Sequence, residues 1–463
     1  MVFVGRETEL KDLKRIFKTD QFEFVVVFGR RRVGKTTLIS KACEGFKTIF
    51  HLSTKTTEKK TLTDISVSAY EGLGEGNGLE FSSLAVFLEY VGGKAAVDTL
   101  VLVIDEFPFM VQSIPDAMGT LQRFIDLKFS KTKLKLVLSG SSVSFMEHQV
   151  LGEKSPLYGR RTAQFKLMPF TLPETRRMYG GTLEETVVVQ HITGGVPLYV
   201  SYFSPAEKVE ETIKRLFFSS NGLLYNEPLN ILNMEVNEPQ AFFSVLELLA
   251  QGANKQFELA DKSGLSAPNI SYYLATLRDI GLVDKKLPFG ETNKKKTIWY
   301  IKDGLFLFYF KYVHPYRAMI ERGIIDGVLA WLGKTYSTYA GKPFEEICRY
   351  HLLTHSNLPI IDIGSWWGSD SLSKSEEEID VVASTADGGM VFGECKFTNE
   401  PIGPGEYDDL VRVSKNLKSD KARYYWFFSK SGFTTGMLAK VKDNQMVRLV
   451  TLEDLFSPRF QEL

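Results

Sequence analysis

Three kinds of residue pattern are scarce in this chain of 463 residues, and each scarcity excludes something. Only three cysteines occur, Cys43, Cys348 and Cys395, which is too few and too scattered for a disulfide framework. No apolar run approaches the ~20 residues that a membrane span requires. Net charge is also missing: Lys plus Arg and Asp plus Glu both total 56. A chain balanced in this way is not a general polyanion coat, so any nucleic-acid surface must be local. The opening residues, MVFVGRETELKDL, lack a basic-then-apolar leader pattern, and a cytoplasmic location with no membrane partner is expected. A hydrophobic fraction of 44% is that of a soluble globular protein, and this length predicts about three domains.

What is present begins at residue 24. An apolar run, residues 24–28, ends at Gly29, and Gly29, Gly34, Lys35 and Thr36 then follow G-x-x-x-x-G-K-T spacing before a helical pattern. Glycines let the backbone curl so that the N–H groups from Gly29 through Arg30, Arg31, Arg32, Val33 and Gly34 to Thr37 face phosphate oxygens. Lys35 reaches the β- and γ-phosphates, and Thr36 offers its hydroxyl to Mg²⁺. ATP and ADP are the expected ligands.

Before this loop, Leu10, Leu13 and Phe17 fall at helical spacing. After it, a loop is expected over residues 71–78, EGLGEGNG. TLVLVI, residues 99–104, reads as a strand buried on both faces, and it ends in Asp105 and Glu106. Asp105 is placed to hold Mg²⁺ and Glu106 to orient the attacking water. LKLVL, residues 134–138, is another buried strand and closes in Ser139-Gly140-Ser141-Ser142. Arg160 or Arg161 is placed to act as an arginine finger, and a plain surface arginine fits the same residues. Four strand signals alternating with helices predict a parallel α/β domain with helices on both faces.

Taken together, FVGRETEL, GRRRVGKTTLI, LVLVIDEF, LVLSGSS, LYGRRT and TGGVPLYV resemble the archaeal-type ATPase group within the STAND and AAA+ P-loop NTPases. The resemblance covers about the first 200 residues. It implies an adenine-pocket role for FVGRE, a γ-phosphate sensor role for Ser139 and Ser141, and a nucleotide-reading role for Pro197 within Gly195-Val196-Pro197.

Beyond a charged helical connector, residues 241–300 carry two short helices, a third with Ile270, Tyr273, Leu274, Leu277 and Ile280 on one face, and a hairpin. This is a winged helix-turn-helix pattern. It would present Asn269, Ser271, Tyr272 and Thr276 to DNA and Lys294, Lys295 and Lys296 to phosphates, or else serve as an interdomain module. LFLFYFKYVHPY, residues 305–316, is expected as a buried helix, with a new helix starting near Tyr339.

The last region holds a second constellation. Residues 379–384 and 390–397 read as strands joined at Asp387-Gly388-Gly389, so a hairpin brings Asp380 near Glu394 and Lys396. Glu394 and Lys396 share one face because side chains alternate, and Cys395 points the other way. Asp380 and Glu394 would bind Mg²⁺ or Mn²⁺, Lys396 would orient the attacking water and stabilise phosphate charge, and Glu345 would add an acidic group. IDVVA followed by GECKF resembles the PD-(D/E)XK nuclease superfamily, in which some members keep the fold only as a scaffold. Cys348, His351 and His355, spaced C-x₂-H-x₃-H, fit helix packing better than a zinc site, since no fourth ligand is near in sequence.

The expected organisation is a P-loop ATPase domain over 1–200, a helical connector over 201–236, a winged helix-turn-helix over 237–312 and an α/β restriction-endonuclease-like domain over 313–463. The expected function is ATP hydrolysis coupled through the winged helix to Mg²⁺-dependent DNA cleavage. Its alternative is a STAND-type nucleotide-regulated DNA-binding, signalling or scaffold ATPase with a silent last domain. DNA, a protein partner or a second copy of the chain are the partners this reading allows.

Overall fold

The computed structural model describes residues 3–74, 80–370, 374–419 and 421–457. The chain divides into two compact units, Met1–Pro169 and Phe170–Leu463. The first lies within the span 1–200 expected for the ATPase domain. Its sheet is complete by residue 166, and Phe170 and the residues after it hydrogen-bond and pack among later helices, with the Phe170 N–H donating to the Gly195 carbonyl at 2.7 Å.

The first unit is built on β1 (Glu23–Phe28), β2 (Thr48–Leu52), β3 (Leu100–Asp105), β4 (Leu134–Gly140) and β5 (Ala163–Lys166). All pairings are parallel, in the order β2-β3-β4-β1-β5. Every residue of β1, β3 and β4 is buried, which explains why these strands read as mainly apolar runs, with Lys135 the one charged residue inside β4. Alternation divides β1 between two cores. Phe24, Val26 and Phe28 meet residues of the helices Glu58–Leu73, Leu84–Val97 and Ala117–Leu127, whereas Val25 and Val27 meet those of Glu7–Phe17 and Lys35–Cys43. Helices thus cover both faces, as expected. The loop expected over residues 71–78 begins later, because the Glu58–Leu73 helix runs on until Gly74 caps it with φ 65°; residues 75–79 lie outside the described residues.

The second unit contains the helices Pro239–Ala250, Gln256–Ser263 and Ala267–Asp279, then an antiparallel pair, β6 (Val283–Lys286) and β7 (Ile298–Ile301). A 30-residue helix, Asp326–His355, leads into β8 (Ile360–Ser369), β9 (Glu376–Thr385) and β10 (Met390–Lys396). Next come the helix Pro404–Ser414, β11 (Arg423–Ser429), the helix Thr435–Val441 and β12 (Val447–Val450). The sheet runs β12-β11-β10-β9-β8, antiparallel across β8, β9 and β10 and parallel across β10, β11 and β12. One hydrophobic core joins Phe242 and Ile270 of the helix-turn-helix to Phe344 and Leu352 of the long helix and to Val381 and Val391 of the sheet. The opposite sheet face packs Ile379, Val382 and Phe392 against the Pro404–Ser414 helix, with Phe289 of the β6–β7 connection alongside.

Candidate functional sites

The phosphate loop takes the backbone shape its glycines permit. Gly29 has φ 157°, and a Cβ there would lie 2.4 Å from the carbonyl oxygen of Leu167; Gly34, at φ 91°, starts the Lys35–Cys43 helix. Lys35 is buried, and its ammonium donates to the carbonyls of Gly29 (3.0 Å) and Arg30 (3.1 Å) and to Ser141 Oγ (2.8 Å). Thr36 Oγ1 donates to Asp105 Oδ2 at 2.6 Å, while Asp105 Oδ1 accepts the Glu106 N–H at 3.0 Å. Glu106 adopts a left-handed φ of 52°, uncommon for a residue other than glycine. Its carboxylate accepts the Ser141 N–H at 3.1 Å and the Ser141 hydroxyl.

The strand order explains this junction. β4 lies between β1 and β3, so Ser141, just past the end of β4, reaches both the lysine that follows β1 and the glutamate that follows β3. Among the residues expected here, Gly29, Lys35, Thr36, Asp105, Glu106 and Ser141 converge. Arg30, Arg31 and Arg32 are half-buried in the loop, Thr37 is exposed beside Thr36, and Val33 packs into the adjoining core. Ser139 is buried within β4, and its hydroxyl makes no hydrogen bond. Arg160 is held elsewhere: its fork grips Asp126 through two contacts of 2.7 Å, and its remaining nitrogen donates to the Pro156 and Tyr158 carbonyls. Arg161 is exposed. Pro197 belongs to the second unit, at the first turn of the Pro197–Val200 helix.

The second constellation forms on β9, β10 and the long helix. The β8–β9 register slips between Gly364↔Val382 and Trp366↔Ile379, so Asp380 and Val381 together oppose Ser365. This is a β-bulge, a device that re-aims a side chain. At the bulge, Asp380 Oδ2 accepts the Cys395 N–H at 2.9 Å, and Arg349 donates to the Asp380 carbonyl at 2.5 Å. Single ligand oxygens of Glu345, Glu378 and Asp380 lie within 4.8 Å of one another, the only such acidic, histidine or cysteine group among the described residues. Lys342 bridges Glu345 (2.9 Å) and Glu378 (2.5 Å). Glu394 stands outside that group, paired with Lys396 at 2.5 Å.

The acidic partners are electrostatically crowded. Burial and the Asp380 charge push Glu345 up to about 7, and the same two causes push Glu394 up to about 7. Burial raises Asp380 as well. Burial pulls Lys396 down, but Glu394 and Asp380 carry it above the ordinary lysine value. Crowded carboxylates with raised pKa values are stabilised by a cation, and this all-oxygen set suits a hard divalent ion. Glu378 is absent from the set expected from sequence. It follows from alternation along EEEID, since residues 378 and 380 share a strand face.

Three other groups of residues singled out in the sequence lie elsewhere in the second unit. Cys348, His351 and His355 form no metal group; both histidine rings stack at 4.2 Å, and His355 Nε2 lies 3.0 Å from the Ser457 carbonyl oxygen. Ser271 is turned back into its own helix, donating to the Ala267 carbonyl, which leaves Asn269, Tyr272 and Thr276 on the outer side. The tip lysines Lys294, Lys295 and Lys296 are exposed, with Lys296 paired to Glu291 at 2.6 Å.

Comparison with known proteins places these features. Residues 3–203 match an ATPase domain predominantly from Archaea, residues 244–285 match bacterial regulatory proteins of the arsR family, and residues 309–413 match archaeal and bacterial proteins of unknown function. The solved Walker-type ATPase paby2304 of Pyrococcus abyssi superposes with a TM-score of 0.50 at 17% identity, over 67% of this chain and 96% of that one, a likeness of fold. A 47-residue stretch is 43% identical to the uncharacterised ATP-binding protein MJ0423 of Methanocaldococcus jannaschii, covering 10% of this chain and 80% of that protein. The uncharacterised protein MJECL04 of the same organism is 30% identical over 465 residues, 98% of this chain and 100% of the relative. This chain therefore belongs to the MJECL04 family and carries an archaeal-type ATPase domain followed by a helix-turn-helix and a separate C-terminal sheet domain.

Proposed function

We propose that the protein hydrolyses ATP with Mg²⁺ in its first unit and cleaves phosphodiesters with a divalent metal in its last domain, the two activities being coupled through the winged helix. Thr36 and Asp105 already share a hydrogen bond where a Mg²⁺ on the nucleotide would be held, and Lys35 lies ready to exchange its carbonyl partners for phosphate oxygens. Glu106 is the group that orients water, and Ser141 positions it.

The observation that carries the second activity is the bulge at Asp380, which sets this carboxylate beside Glu345 and Glu378 and within electrostatic reach of Lys396. A divalent ion held there would polarise the phosphodiester and lower the pKa of water. Lys396, kept charged by Glu394, would stabilise the charge developing on phosphate. The sheet, two antiparallel steps followed by two parallel ones, carries Asp380, Glu394 and Lys396 on adjacent strands, as the PD-(D/E)XK pattern requires.

A second reading draws on Lys342. Its ammonium bridges two of the three grouped carboxylates, so the domain would also stand as a metal-free scaffold in a STAND-type switch that binds DNA or a partner. Cleavage of labelled single-stranded, linear duplex and branched DNA with Mg²⁺ or Mn²⁺, with and without ATP, separates the two. Cutting by the wild type that disappears in Lys396→Ala supports the nuclease, and Lys35→Ala reports whether nucleotide controls it. ATP hydrolysis without cutting under any condition favours the scaffold.

A further inference from the structure

The wing does more than extend from its helices: its base is fastened to the bulged strand pair. The Phe289 N–H donates to the Ser365 carbonyl at 2.8 Å, and Lys286 Nζ lies 3.4 Å from Ser365 Oγ, the residue that faces the Asp380 bulge. Trp367 pairs with Glu378 across β8 and β9, so the indole emerges on the sheet face that carries Glu378 and Asp380. The Lys286 ammonium sits 5.3 Å from the Trp367 ring centre and 5.8 Å from that of Tyr300. Both rings are only partly buried, and Lys342 pairs with Glu378 at 2.5 Å. Aromatic surface, two cations and the carboxylate group therefore meet at one place, supplied by both the wing and the sheet.

We infer that Trp367, flanked by Tyr300 and Lys286, is a stacking platform for an unpaired base, so that the carboxylate site takes a single-stranded stretch of nucleic acid. The substrate class rests on the cleavage reading above; the binding site does not. Bases within a duplex are covered on both faces by their neighbours, so a ring fixed in a sheet stacks only on a nucleotide that has left the helix. Lys286 and Lys342 supply charge for the phosphates on either side, and a nucleotide seated on Trp367 would bring its backbone beside Glu378.

The test uses the full chain in EDTA, where no cleavage occurs, with fluorescein-labelled oligo(dT), oligo(U) and a blunt duplex read by anisotropy across a salt series. Both single strands are expected to bind at least about ten-fold tighter than the duplex. Trp367→Ala should lose about five- to hundred-fold in single-strand affinity, with Trp367→Phe retaining most of it. Lys286→Met should lower the salt slope by about one. The platform is overturned if the duplex binds as well as either strand, if no strand binds, or if Trp367→Ala melts like wild type and binds within two-fold of it. Should Trp367→Ala fold poorly, Lys286→Met decides instead: a salt slope equal to that of wild type also overturns the platform. Cleavage that depends on Lys396 would survive that result, so the two readings fail separately.

Discussion

The Thr36 hydroxyl donates to Asp105 across 2.6 Å, joining the end of the phosphate loop to a strand that is not a neighbour of β1. The bond places an alcohol and a carboxylate, both hard oxygen ligands, at one point beside the expected γ-phosphate. Thr36→Ala and Asp105→Asn should each lower ATP turnover by about 100-fold or more, read as phosphate release at saturating Mg²⁺. Turnover within a few-fold of wild type in either variant would remove that point as the metal position.

Ser141 links the ammonium of Lys35 to the carboxylate of Glu106. Glu106→Gln is expected to keep nucleotide affinity while kcat falls by about 100-fold or more. Ser141→Ala, which frees the carboxylate without removing it, should cost about ten-fold. Equilibrium binding of a fluorescent ATP analogue beside steady-state hydrolysis distinguishes them; a loss of affinity matching the loss of rate would assign Glu106 to binding.

Burial pulls His51 down to about 4, so this ring is neutral in the folded ATPase unit at pH 7. The unfolded chain, with a histidine pKa near 6.5, takes up the proton first as pH falls. His51 therefore leaves stability intact above about pH 6.5 and erodes it as pH drops toward 4. Between pH 7.5 and 5 the loss is roughly 2 kcal/mol. Denaturant melts of wild type and His51→Gln should show the variant with the shallower pH dependence, and equal slopes would count against a buried neutral ring.

Lys135 is fully buried opposite Glu23 in the β1–β4 register, and its ammonium donates to the Thr19 carbonyl and hydroxyl, each at 2.8 Å, and to the Gln21 carbonyl. Lys135→Met preserves most of the volume but strips these acceptors of their donor. A destabilisation of about 2–3 kcal/mol follows, measurable by urea unfolding followed by circular dichroism. An unchanged midpoint would mean that water replaces the ammonium.

Lys342 contributes a positive charge between Glu345 and Glu378, where it competes with any metal ion. Lys342→Met should raise Mn²⁺ affinity about ten-fold or more, as measured by calorimetry on the full chain. Weaker binding in the variant would identify Lys342 as a support for the carboxylates.

The parts legible in the sequence were those whose chemistry and geometry are local. Gly29 to Thr36, Asp105 with Glu106, and the Asp380 to Lys396 hairpin each occupy one continuous stretch, so spacing alone brought their groups together. β2 and β5 are short, and β5 alternates as an edge strand, so neither produced an apolar run. The long helix was expected to begin near Tyr339 but starts at Asp326, because residues 326–338 mix two glycines with polar residues, yet burial of Val328 and Leu332 keeps them helical. Glu378 was legible from alternation along EEEID although absent from the expected set, whereas the wing's hold on Ser365 depends on the β8–β9 slip, and a one-residue bulge leaves no periodic signature.

The core shared by the helix-turn-helix, the long helix and the C-terminal sheet bears on how the chain can be divided experimentally. A fragment ending after the wing would strip Phe289 of the sheet beneath it, and one beginning at the long helix would leave Phe344 and Leu352 without Phe308 and Tyr312. Either half would expose greasy surface and invite aggregation. Recombinant dissection of the second unit therefore has one sensible cut, close to residue 170, and a protease should release that unit whole before trimming it.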